Sequence, residues 1–571
     1  MDNKEISAVL EEIATILEFI NENPFKVRAY QNAARVIAST DQNLTTLVNT
    51  NQLKSLKGIG SGIAEKITEL VTTGSLPYYE ELKKKMPPGF VEMLGIPSLG
   101  PKKAKKLHDM LHITTLGELE YACKENRLVD IEGFGKKTQE KILSGIEYIK
   151  KTKNLHRLDT AYDHAHELLR YFKNTKHLTK LSLAGSIRRF KEVVKDIDLV
   201  GSASDPERVM KEFVSNPAVE TVIAHGTTKS SVRLSAGINA DLRLVSDKEF
   251  PYALHHFTGS KEHNIAMRTR AKSMGITMNE YGLFKKNRLI ACKTETDVFK
   301  HLGLDYIEPE LRENTGEIQA AESHTLPDLL TEKDITGIFH VHTAMSDGEI
   351  PLQAMVEAVK KKGYQYVGIS DHSQSAFYAH GLKQPDLHKQ HTQIEQLNKQ
   401  MKNFVILKGI ESDILPDGSL DYPDSVLEKF DFVIGSVHSK FSMNEQEMTK
   451  RLIKAMKNKY LTMLGHLTGR LLLAREAYPV NHRDVIQAAS DYGVIIELNA
   501  NPYRLDIDWR HLKHVKEKEV LISINPDAHD TDDLDYIRYG VGIARKGWLS
   551  KIDVFNTRSI GEIRNYLSNR R

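Results

Sequence analysis

The stretch LSLAGSIRRFKEVVKDIDLVG, residues 181–201, decides how the central part of this 571-residue chain folds. Near its end, polar and apolar residues alternate, which is typical of a half-buried β-strand and places Asp196 and Asp198 on the same face. Further along, residues 238–244 (INADLRL) alternate as strictly and carry Asp241 on their polar face. If the two strands pair, three carboxylates converge on one face of a sheet.

Such a trio of carboxylates points to bound metal ions. Like charges at short range repel one another unless cations neutralise them, and hard oxygen ligands select Mg²⁺ or Mn²⁺. Two such ions can lower the pKa of an attacking hydroxyl and stabilise a leaving oxygen, which phosphoryl transfer requires. The turn Gly185-Ser186, followed by Arg188 and Arg189, offers backbone amides, a hydroxyl and two guanidinium groups for a triphosphate. One D-x-D pair alone is common on solvent-facing strands. Its combination with a glycine-serine turn, an arginine pair and a third aspartate is a strong signal for phosphoryl transfer.

These motifs resemble the palm of family X DNA polymerases, and HFTGSKEHN at 256–264 is similar to the primer- and nucleotide-binding loop of that family. The resemblance implies that Asp196 and Asp198 bind both metals, whereas Asp241 binds one and helps to activate the primer 3′-hydroxyl. It also implies deoxynucleoside triphosphates as substrates. The nucleotide-binding residues that it implies are Gly185, Ser186, Arg189, His256, Gly259, Asn264 and Arg268, the last near the templating pair.

Two positions differ from the family pattern. His256 stands where the vertebrate members carry tyrosine, at the position that screens the sugar of the incoming nucleotide. Asn239 replaces an arginine near the primer end. These differences bear on discrimination against ribonucleotides and on activation of the hydroxyl.

Three segments within the first 150 residues share one spacing, around Gly58-Ile59-Gly60, Ser98-Leu99-Gly100 and Gly133-Phe134-Gly135. A Gly-apolar-Gly turn lets two helices meet where φ can be positive, and it brings the amides of the second helix's first turn close to a phosphate. This pattern resembles the helix-hairpin-helix motif, which grips the DNA backbone without reading sequence. The alternative is a packing hairpin with solvated lysines. The DNA-binding residues implied are Gly58, Gly60, Gly100, Lys102, Lys103, Gly133, Gly135, Lys136 and Lys137.

The N-terminal region also has apolar residues at helical intervals, in residues 5–20 and 28–37. From about residue 24 to 82 it resembles the lyase domain of DNA polymerase beta, in which a lysine forms a Schiff base with an abasic-site sugar. The matching position is Lys66, but two neighbouring positions that are basic in the relative are Gly62 and Ser75. Two interpretations therefore stay open, a lyase nucleophile with a depressed pKa and a phosphate contact only.

Beyond residue 335, histidines and acidic residues recur at the ends of apolar, strand-like runs that are separated by helical stretches. This alternation predicts an α/β barrel with its function at the carboxyl ends of the strands. Imidazoles and carboxylates together suit Zn²⁺, Mn²⁺ or Fe. The predicted ligands are His340, His342, Asp347, His372, Glu411, His438, His466, Asp527 and His529.

A lone histidine at a strand end is more often a satisfied hydrogen-bonding residue, but nine ligands in this order are hard to explain by coincidence. The order resembles that of the PHP (polymerase and histidinol phosphatase) domain, whose members hold up to three metal ions and hydrolyse phosphoesters. Every ligand position of an active member is filled in this sequence. The resemblance therefore implies a catalytic metal site.

We therefore expect a multidomain protein with a helical N-terminal helix-hairpin-helix region, an α+β nucleotidyltransferase palm and thumb, and a C-terminal PHP domain that forms a distorted α/β barrel. The predicted divisions are 1–85 (lyase-like DNA-binding domain), 86–150 (helix-hairpin-helix fingers-type subdomain), 151–245 (palm), 246–315 (thumb), 316–335 (linker) and 336–571 (PHP domain).

Composition excludes several classes of protein. The balance of 40% hydrophobic and 27% charged residues is globular, and no apolar run is long enough to span a bilayer, so we expect no membrane partner. Cys123 and Cys292 are the only cysteines, which excludes a disulfide framework and fits the reducing cytosol. The net charge of +3 does not identify a partner by itself, because binding depends on where the cations lie, and residues 151–325 alone carry an excess of four.

A family X polymerase followed by a PHP domain is the arrangement of the bacterial and archaeal branch of that family. It implies a monomeric DNA-repair enzyme that fills short gaps in primer-template DNA, contacts the backbone without sequence specificity, and carries a metal-dependent 3′-5′ exonuclease. Base excision repair is the expected process, with abasic-site lyase or endonuclease activity as an addition. Two alternatives stay open: a PHP domain that cleaves phosphomonoesters or pyrophosphate, and a non-catalytic scaffold that binds DNA ends.

Overall fold

A computed structural model describes residues 3–570 except 39, 41–43, 51, 57, 88, 97–98, 125–126, 130, 153 and 174. Ser98 of the second predicted hairpin lies outside the described residues. The chain divides into two compact units, residues 1–153 and 154–571. Among the described helices, none combines the length and apolarity that crossing a membrane requires.

The first unit is helical, as predicted. Its α-helices are α1 (Asn3–Phe19), α2 (Pro24–Ala38), α3 (Leu44–Asn49), α4 (Ser61–Thr73), α5 (Pro77–Lys83), α6 (Phe90–Leu94), α7 (Pro101–Leu111), α8 (Leu116–Lys124) and α9 (Lys136–Thr152). Apolar side chains at helical spacing form two buried clusters. The first cluster contains residues from the helices α1 through α5. The second contains residues from the helices α6 through α9, together with Phe19 of α1.

The three glycine turns each precede a long helix. Gly60 and Gly100 are the N-caps of α4 and α7, and Gly135 directly precedes α9. Gly58 and Gly133 have φ of +104° and +90°, the left-handed region that glycine reaches at least cost. The turns therefore present the free amides at the starts of these helices to solvent.

The region predicted as palm contains a five-stranded sheet. Its elements are β1 (His156–Arg157), α10 (Leu158–Phe172), β2 (Leu178–Leu183), α11 (Gly185–Arg188), β3 (Val193–Val194), β4 (Asp196–Ala203), α12 (Pro206–Val214), β5 (Val219–His225), β6 (Lys229–Leu234) and β7 (Asn239–Val245). The strand order is β2-β4-β7-β6-β5, and β4 runs parallel to β7. Apolar residues that alternate with the carboxylates, such as Ile197 and Ala240, are completely buried beneath the sheet.

The region predicted as thumb follows. Its elements are α13 (Phe250–Thr258), α14 (Lys261–Ser273), β8 (Ile276–Asn279), β9 (Gly282–Lys285), β10 (Arg288–Ile290), α15 (Glu295–His301) and α16 (Glu317–Glu322). The segment predicted as a linker, 316–335, contains α16, whose Ile318 and Ala321 share an apolar cluster with Met267 of α14. Its Glu317 is fully buried and pairs with His263 at 2.7 Å. Much of this segment is thus part of a packed core.

The C-terminal region is a barrel of seven parallel strands in sequential order. They are β11 (Gly337–Val341), β12 (Tyr366–Ile369), β13 (Val405–Asp413), β14 (Phe432–Ser436), β15 (Met463–Leu464), β16 (Ile495–Asn499) and β17 (Ile522–Asn525). Its helices are α17 (Leu352–Lys361), α18 (Gln384–Gln400), α19 (Asp424–Leu427), α20 (Glu445–Met456), α21 (His482–Tyr492), α22 (Trp509–Glu517), α23 (Ile537–Lys546) and α24 (Ile560–Asn569).

The barrel is nearly closed because its first and last strands meet. The His342 amide donates to the Ala528 carbonyl at 2.8 Å, and the Ala528 amide donates to the His340 carbonyl at 3.2 Å. The predicted fold class, with helical, α+β and barrel regions in that order, is therefore confirmed. This closure brings the carboxyl ends of β11 and β17, which hold four of the predicted ligands, next to each other.

Candidate active sites

The first candidate site lies on β4 and β7, where the structure brings the three predicted carboxylates together. The parallel register places Asp198 opposite Asp241, with Asp196 two residues earlier on the same face. Burial, together with repulsion from the other two carboxylates, raises the pKa of Asp198 to about 7. Burial and Asp241 also raise the pKa of Asp196. A divalent cation would relieve this repulsion, so the donor set fits Mg²⁺ or Mn²⁺.

Gly185 forms the wall of this site. Its φ of +59° is left-handed, and a Cβ atom at this position would lie 2.0 Å from Oδ2 of Asp198. Only glycine therefore allows the turn to approach the carboxylate so closely. Lys229 of β6 supplies the neighbouring positive charge, with its Nζ 2.9 Å from Oδ2 of Asp241.

The two arginines after this turn have different partners. The charge of Arg189 acts to lower the pKa of Asp198, and its Nε donates to Glu313 at 3.0 Å. Arg188, which the sequence suggested as a second triphosphate ligand, instead forms a two-bond ion pair with Glu295 at 3.0 and 2.8 Å. Arg188 is thus engaged by Glu295, which disfavours it as a second triphosphate ligand.

The residues of the predicted nucleotide-binding loop lie at the junction of α13 and α14. The Asn264 side chain donates to the carbonyls of His256 and Gly259, at 2.7 and 3.3 Å, which ties the loop to the start of α14. Burial lowers the pKa of His256. Ser186 is partly buried in its turn and Arg268 is exposed on α14, where it can meet a ligand.

The second candidate site lies at the carboxyl ends of the barrel strands, where all nine predicted ligands meet. Glu411 of β13 is central to them. Its Oε1 faces ring nitrogens of His466, His340 and His438 at 2.9, 3.3 and 3.3 Å, and its Oε2 faces those of His372 and His342 at 3.0 and 3.7 Å. Five imidazoles thus surround one buried carboxylate.

Asp347 and Asp527 complete the cluster from two other loops. Asp347 lies 3.4 Å from both His372 and His529, and Asp527 lies 3.3 Å from His342. The potential ligand atoms fall into four overlapping groups, each compact enough for one ion. These groups are His342 with Asp347, His372 and His529; His340 with His466 and Asp527; His340 with His342 and Glu411; and His372 with Glu411 and His438.

The buried polar atoms of this cluster fit metal ions. Nε2 of His340, both ring nitrogens of His342 and Oε2 of Glu411 are buried and accept or donate no hydrogen bond among the described residues. Buried polar atoms are ordinarily satisfied, so such a concentration of open positions is unusual. Burial also lowers the pKa of His342 to about 4, which keeps its imidazole neutral as a ligand must be. The donors suit Zn²⁺, Mn²⁺ or Fe.

Backbone strain is concentrated at the same place. His340 and Asp527 have φ of +57° and +53°, a region that side-chain-bearing residues rarely adopt. These residues end adjacent strands and both contact the cluster. Strain of this kind persists where the surrounding structure over-determines the geometry, as at binding sites.

Sequence reasoning missed the groups that orient these ligands. Glu497 of β16 is fully buried, its Oε1 lies 2.5 Å from Nδ1 of His340, and its Oε2 accepts the His466 amide at 2.7 Å. Asp413 contacts Nδ1 of His438 at 2.7 Å. A signal for Glu497 did exist, since it is an acid within an apolar strand-like run, IIELN, of the kind that marked the other ligands.

Replacing Glu497 by glutamine is expected to weaken metal binding at the barrel by about 10–100-fold, because the hydrogen bond that fixes the His340 ring loses its charge. Titration of the purified chain with Mn²⁺ measures this, and high metal concentration should restore hydrolysis. Glu395→Gln is the control, since Glu395 is exposed on α18, pairs with Lys408 and belongs to none of the four candidate metal groups. Wild-type metal affinity in Glu497→Gln would show that Glu497 does not orient a ligand.

The predicted DNA-binding residues lie at the helix starts of the first unit. Lys102 is 85% exposed, and Lys136 and Lys137 are exposed in the first turn of α9. Lys66 of α4 donates to the Gly62 carbonyl at 3.3 Å, and its Nζ lies 4.8 Å from the Tyr78 ring centre. This geometry is compatible with both interpretations of Lys66.

Comparison with known proteins finds similarity to several parts of the chain. Family models match at residues 1–76 (helix-hairpin-helix domain), 90–147 (SAM-like helix-hairpin-helix tandem), 253–313 (DNA polymerase beta thumb) and 339–501 (PHP domain). A "Probable phosphatase" from Thermoanaerobacter sp. (strain X514) is 29% identical over 37% of this chain and 85% of its own length. A polymerase beta ternary P/T complex from Leishmania infantum covers 39% of this chain and 99% of its own, with 24% identity and a TM-score of 0.27.

The similarity to one protein spans both units. "DNA polymerase/3′-5′ exonuclease PolX" from Bacillus subtilis (strain 168) is 39% identical to this chain, and the match covers 99% of each. Its extent includes the helix-hairpin-helix region, the carboxylate trio and the barrel. The chain therefore belongs to the PolX family, the family X DNA polymerases that carry a PHP domain.

Proposed function

We propose that this protein is a DNA-repair polymerase that fills short gaps by template-directed nucleotide addition and removes 3′-terminal nucleotides at its PHP domain. The observation that carries the proposal is the presence of two separate clusters of potential metal ligands, three carboxylates in the palm and histidines with carboxylates in the barrel. The name of the full-length Bacillus subtilis relative supports both activities. Base excision repair is the process that gap filling would serve.

In the polymerase site, Asp196 and Asp198 would hold two Mg²⁺ or Mn²⁺ ions and Asp241 one of them. When bound, the ions activate the primer hydroxyl and neutralise charge on the triphosphate. Asp241 orients the primer end from β7 and is itself held beside Lys229. Arg189 supplies a fixed guanidinium group for the triphosphate, because Glu313 and the Thr258 carbonyl set its orientation.

The remaining proposed contacts lie on the thumb and the helical unit. Gly185, Ser186, Gly259 and Asn264 would contact the incoming nucleotide, His256 its sugar, and Arg268 the templating pair. The glycine turns before α4, α7 and α9, with Lys102, Lys103, Lys136 and Lys137, would hold DNA phosphates without reading bases. Gapped or primer-template DNA is therefore the proposed partner.

In the barrel, the nine ligands would hold up to three Mn²⁺, Zn²⁺ or Fe ions. Such ions, when bound, generate the nucleophile from water and polarise the phosphoester. The protein's part is to orient the ligands, which Glu497 and Asp413 do through His340 and His438. A phosphodiester at a 3′ end would be hydrolysed to release a nucleotide.

A second candidate function concerns the barrel alone. The relatives that match only the C-terminal part carry the name "Probable phosphatase", which favours hydrolysis of a phosphomonoester. The two functions differ in product. A phosphatase releases phosphate from a small ester and leaves a labelled primer at full length, whereas an exonuclease shortens the primer.

One experiment tests the proposal. A 5′-labelled primer on gapped DNA is incubated with the protein and Mg²⁺ or Mn²⁺, with and without deoxynucleoside triphosphates. We expect lengthening with nucleotides, shortening without them, and neither when the metals are removed by a chelator. A primer that keeps its length in all conditions would refute both proposed activities and leave the phosphatase and scaffold functions. Shortening without any lengthening would refute the polymerase assignment.

Lys66 requires a separate assay. If it is a lyase nucleophile, borohydride treatment should trap a covalent complex with abasic-site DNA, and Lys66→Ala should abolish the trapping. If Lys66 is a phosphate contact only, wild-type protein should give no trapped complex, and Lys66→Ala should only weaken DNA binding.

A further inference from the structure

One helix of the PHP domain packs directly against the arginine turn of the palm. A Cβ atom on Gly542 of α23 would lie 1.9 Å from Cδ1 of Phe190, so the aromatic ring rests on the bare backbone of the helix. Phe190 follows Arg189 and has a φ of +51°. The barrel therefore touches the palm at the residue next to the guanidinium group proposed to hold the triphosphate.

Lys546, the last residue of α23, adds a polar connection at the same place. Its side chain is completely buried. Its Nζ donates to the Arg189 carbonyl at 3.0 Å and to Oε1 of Glu313 at 2.5 Å. The same carboxylate oxygen accepts a hydrogen bond from Nε of Arg189 at 3.0 Å. One lysine thus holds both the backbone of Arg189 and the partner of its side chain.

This arrangement is costly to build, which argues against an accidental contact. Burial lowers the pKa of Lys546 to about 8, although the Glu313 carboxylate acts in the opposite direction. A buried ammonium group destabilises a protein unless its donors are satisfied. Here three oxygen acceptors surround it, the third being the Glu310 carbonyl at 3.4 Å. The buried lysine thereby fixes the position of the turn that carries Arg189.

The guanidinium group of Arg189 is consequently fixed on two sides. Its Nε is held by Glu313, and its Nη1 donates to the Thr258 carbonyl at 2.7 Å. Nη2 makes no hydrogen bond to the described residues and is the nitrogen left for a ligand. A donor held in place before binding contributes more to affinity than one that must be ordered by the ligand.

We propose that Lys546 of the PHP domain is a positioning residue for nucleotide binding in the polymerase site, and that it acts through Glu313 and Arg189. The inference rests on the proposed function, in which Arg189 contacts the incoming nucleotide. It assigns the barrel a second task beyond hydrolysis, which is to support the neighbouring polymerase site.

The test uses the full chain and Lys546→Met, which keeps the length of the side chain but removes its charge and donors. We expect the KM for a deoxynucleoside triphosphate in single-nucleotide gap filling to rise about tenfold, as for loss of a charged hydrogen bond, with kcat within threefold of wild type. Hydrolysis by the barrel should stay within twofold. Lys551→Met is the matched control, because Lys551 is 61% exposed and pairs only loosely with Asp334 at 3.6 Å.

A double-substitution cycle separates positioning from general stabilisation. If Lys546 acts through Arg189, Lys546→Met combined with Arg189→Ala should show the KM of Arg189→Ala alone. Additive increases, an unchanged KM in Lys546→Met, or equal losses of both activities with a lower Tm would each overturn the proposal. If Lys546→Met does not fold, Glu313→Gln carries the test from the thumb side and should raise the same KM.

The same measurements separate the positioning role of Lys546 from the proposed polymerase function. Wild-type protein that fails to extend a primer would overturn the polymerase assignment and the inference together. Wild-type protein that extends the primer, with an Arg189→Ala variant of raised KM and a Lys546→Met variant of normal KM, would overturn the positioning role alone.

Discussion

Asp198→Asn is expected to lower the rate of primer extension by at least about 10³-fold and to leave hydrolysis at the barrel unchanged. Asparagine has the shape of the native side chain but lacks the charge that would bind both metal ions. Asp198 lies opposite Asp241 and two residues from Asp196, so its loss removes the middle member of the trio. Extension of a gapped primer in Mg²⁺ measures the effect.

The same substitution should stabilise the metal-free protein. The folded-state pKa of Asp198, about 7, is above the ordinary value of 3.8, so ionising this group opposes folding. The resulting loss of stability develops as the pH rises from about 4 to 7 and is complete above that range. With a chelator present at pH 8, Asp198→Asn should therefore have a higher free energy of unfolding than wild type, by about 1–3 kcal/mol. At pH 4 the difference should vanish.

Asp205→Asn is the matched control for both measurements. Asp205 caps α12 in the same palm and accepts the Arg208 amide at 3.2 Å, a role that asparagine performs equally well. Its extension rate and stability should therefore equal those of wild type. Extension by Asp198→Asn within tenfold of the wild-type rate would contradict the assignment of this carboxylate to the metal site.

The alternation of residues predicted which palm side chains share a face but not which strands are neighbours. The period of two in residues 196–199 placed Asp196 and Asp198 together, as observed. It carried no information on strand direction, and β4 and β7 proved to be parallel, with the β5-β6 hairpin extending the sheet beyond β7. Strand order depends on long-range packing that local periodicity does not encode.

The residues that orient the predicted ligands of the barrel were harder to predict from the sequence than the ligands themselves. Histidines and acids that recur at the ends of successive strand-like runs stand out in a sequence, so the nine predicted ligands could be proposed from their order. Glu497 belongs to a strand without histidine, and its role arises from the position of His340, 157 residues earlier in the chain. Such a pairing depends on the closure of the barrel and cannot be derived from either segment by itself.

The burial of Lys546 could not be predicted from the sequence of its helix. A lysine in the last turn of an amphipathic helix ordinarily lies in solvent and favours the negative end of the helix dipole. This one is buried because the arginine turn of the palm, 357 residues earlier, packs over it. Similarly, the apolar residues of α16 give no sign, in sequence, of joining the core of the preceding region rather than a linker.

Glu411→Gln is expected to lower hydrolysis of a primer 3′ end by at least about 10³-fold while primer extension stays at the wild-type rate. Glu411 is the residue whose two carboxylate oxygens face five histidines, so two of the candidate metal groups depend on it. A glutamine amide would offer one weak oxygen ligand and place a donor against imidazoles. Metal content, measured by mass spectrometry on the purified chain, should fall in parallel.

The control for this substitution is again Glu395→Gln, because Glu395 is 57% exposed on α18, pairs with Lys408 at 2.5 Å and belongs to none of the four candidate metal groups. The reason for expecting so large a loss is that Glu411 is the carboxylate of two candidate metal groups, one with His340 and His342 and one with His372 and His438, and neither group has another carboxylate. If wild type cleaves a phosphomonoester but leaves the primer unshortened, and Glu411→Gln loses that cleavage, the barrel is a phosphatase. Full hydrolysis by Glu411→Gln would instead place the chemistry outside this cluster.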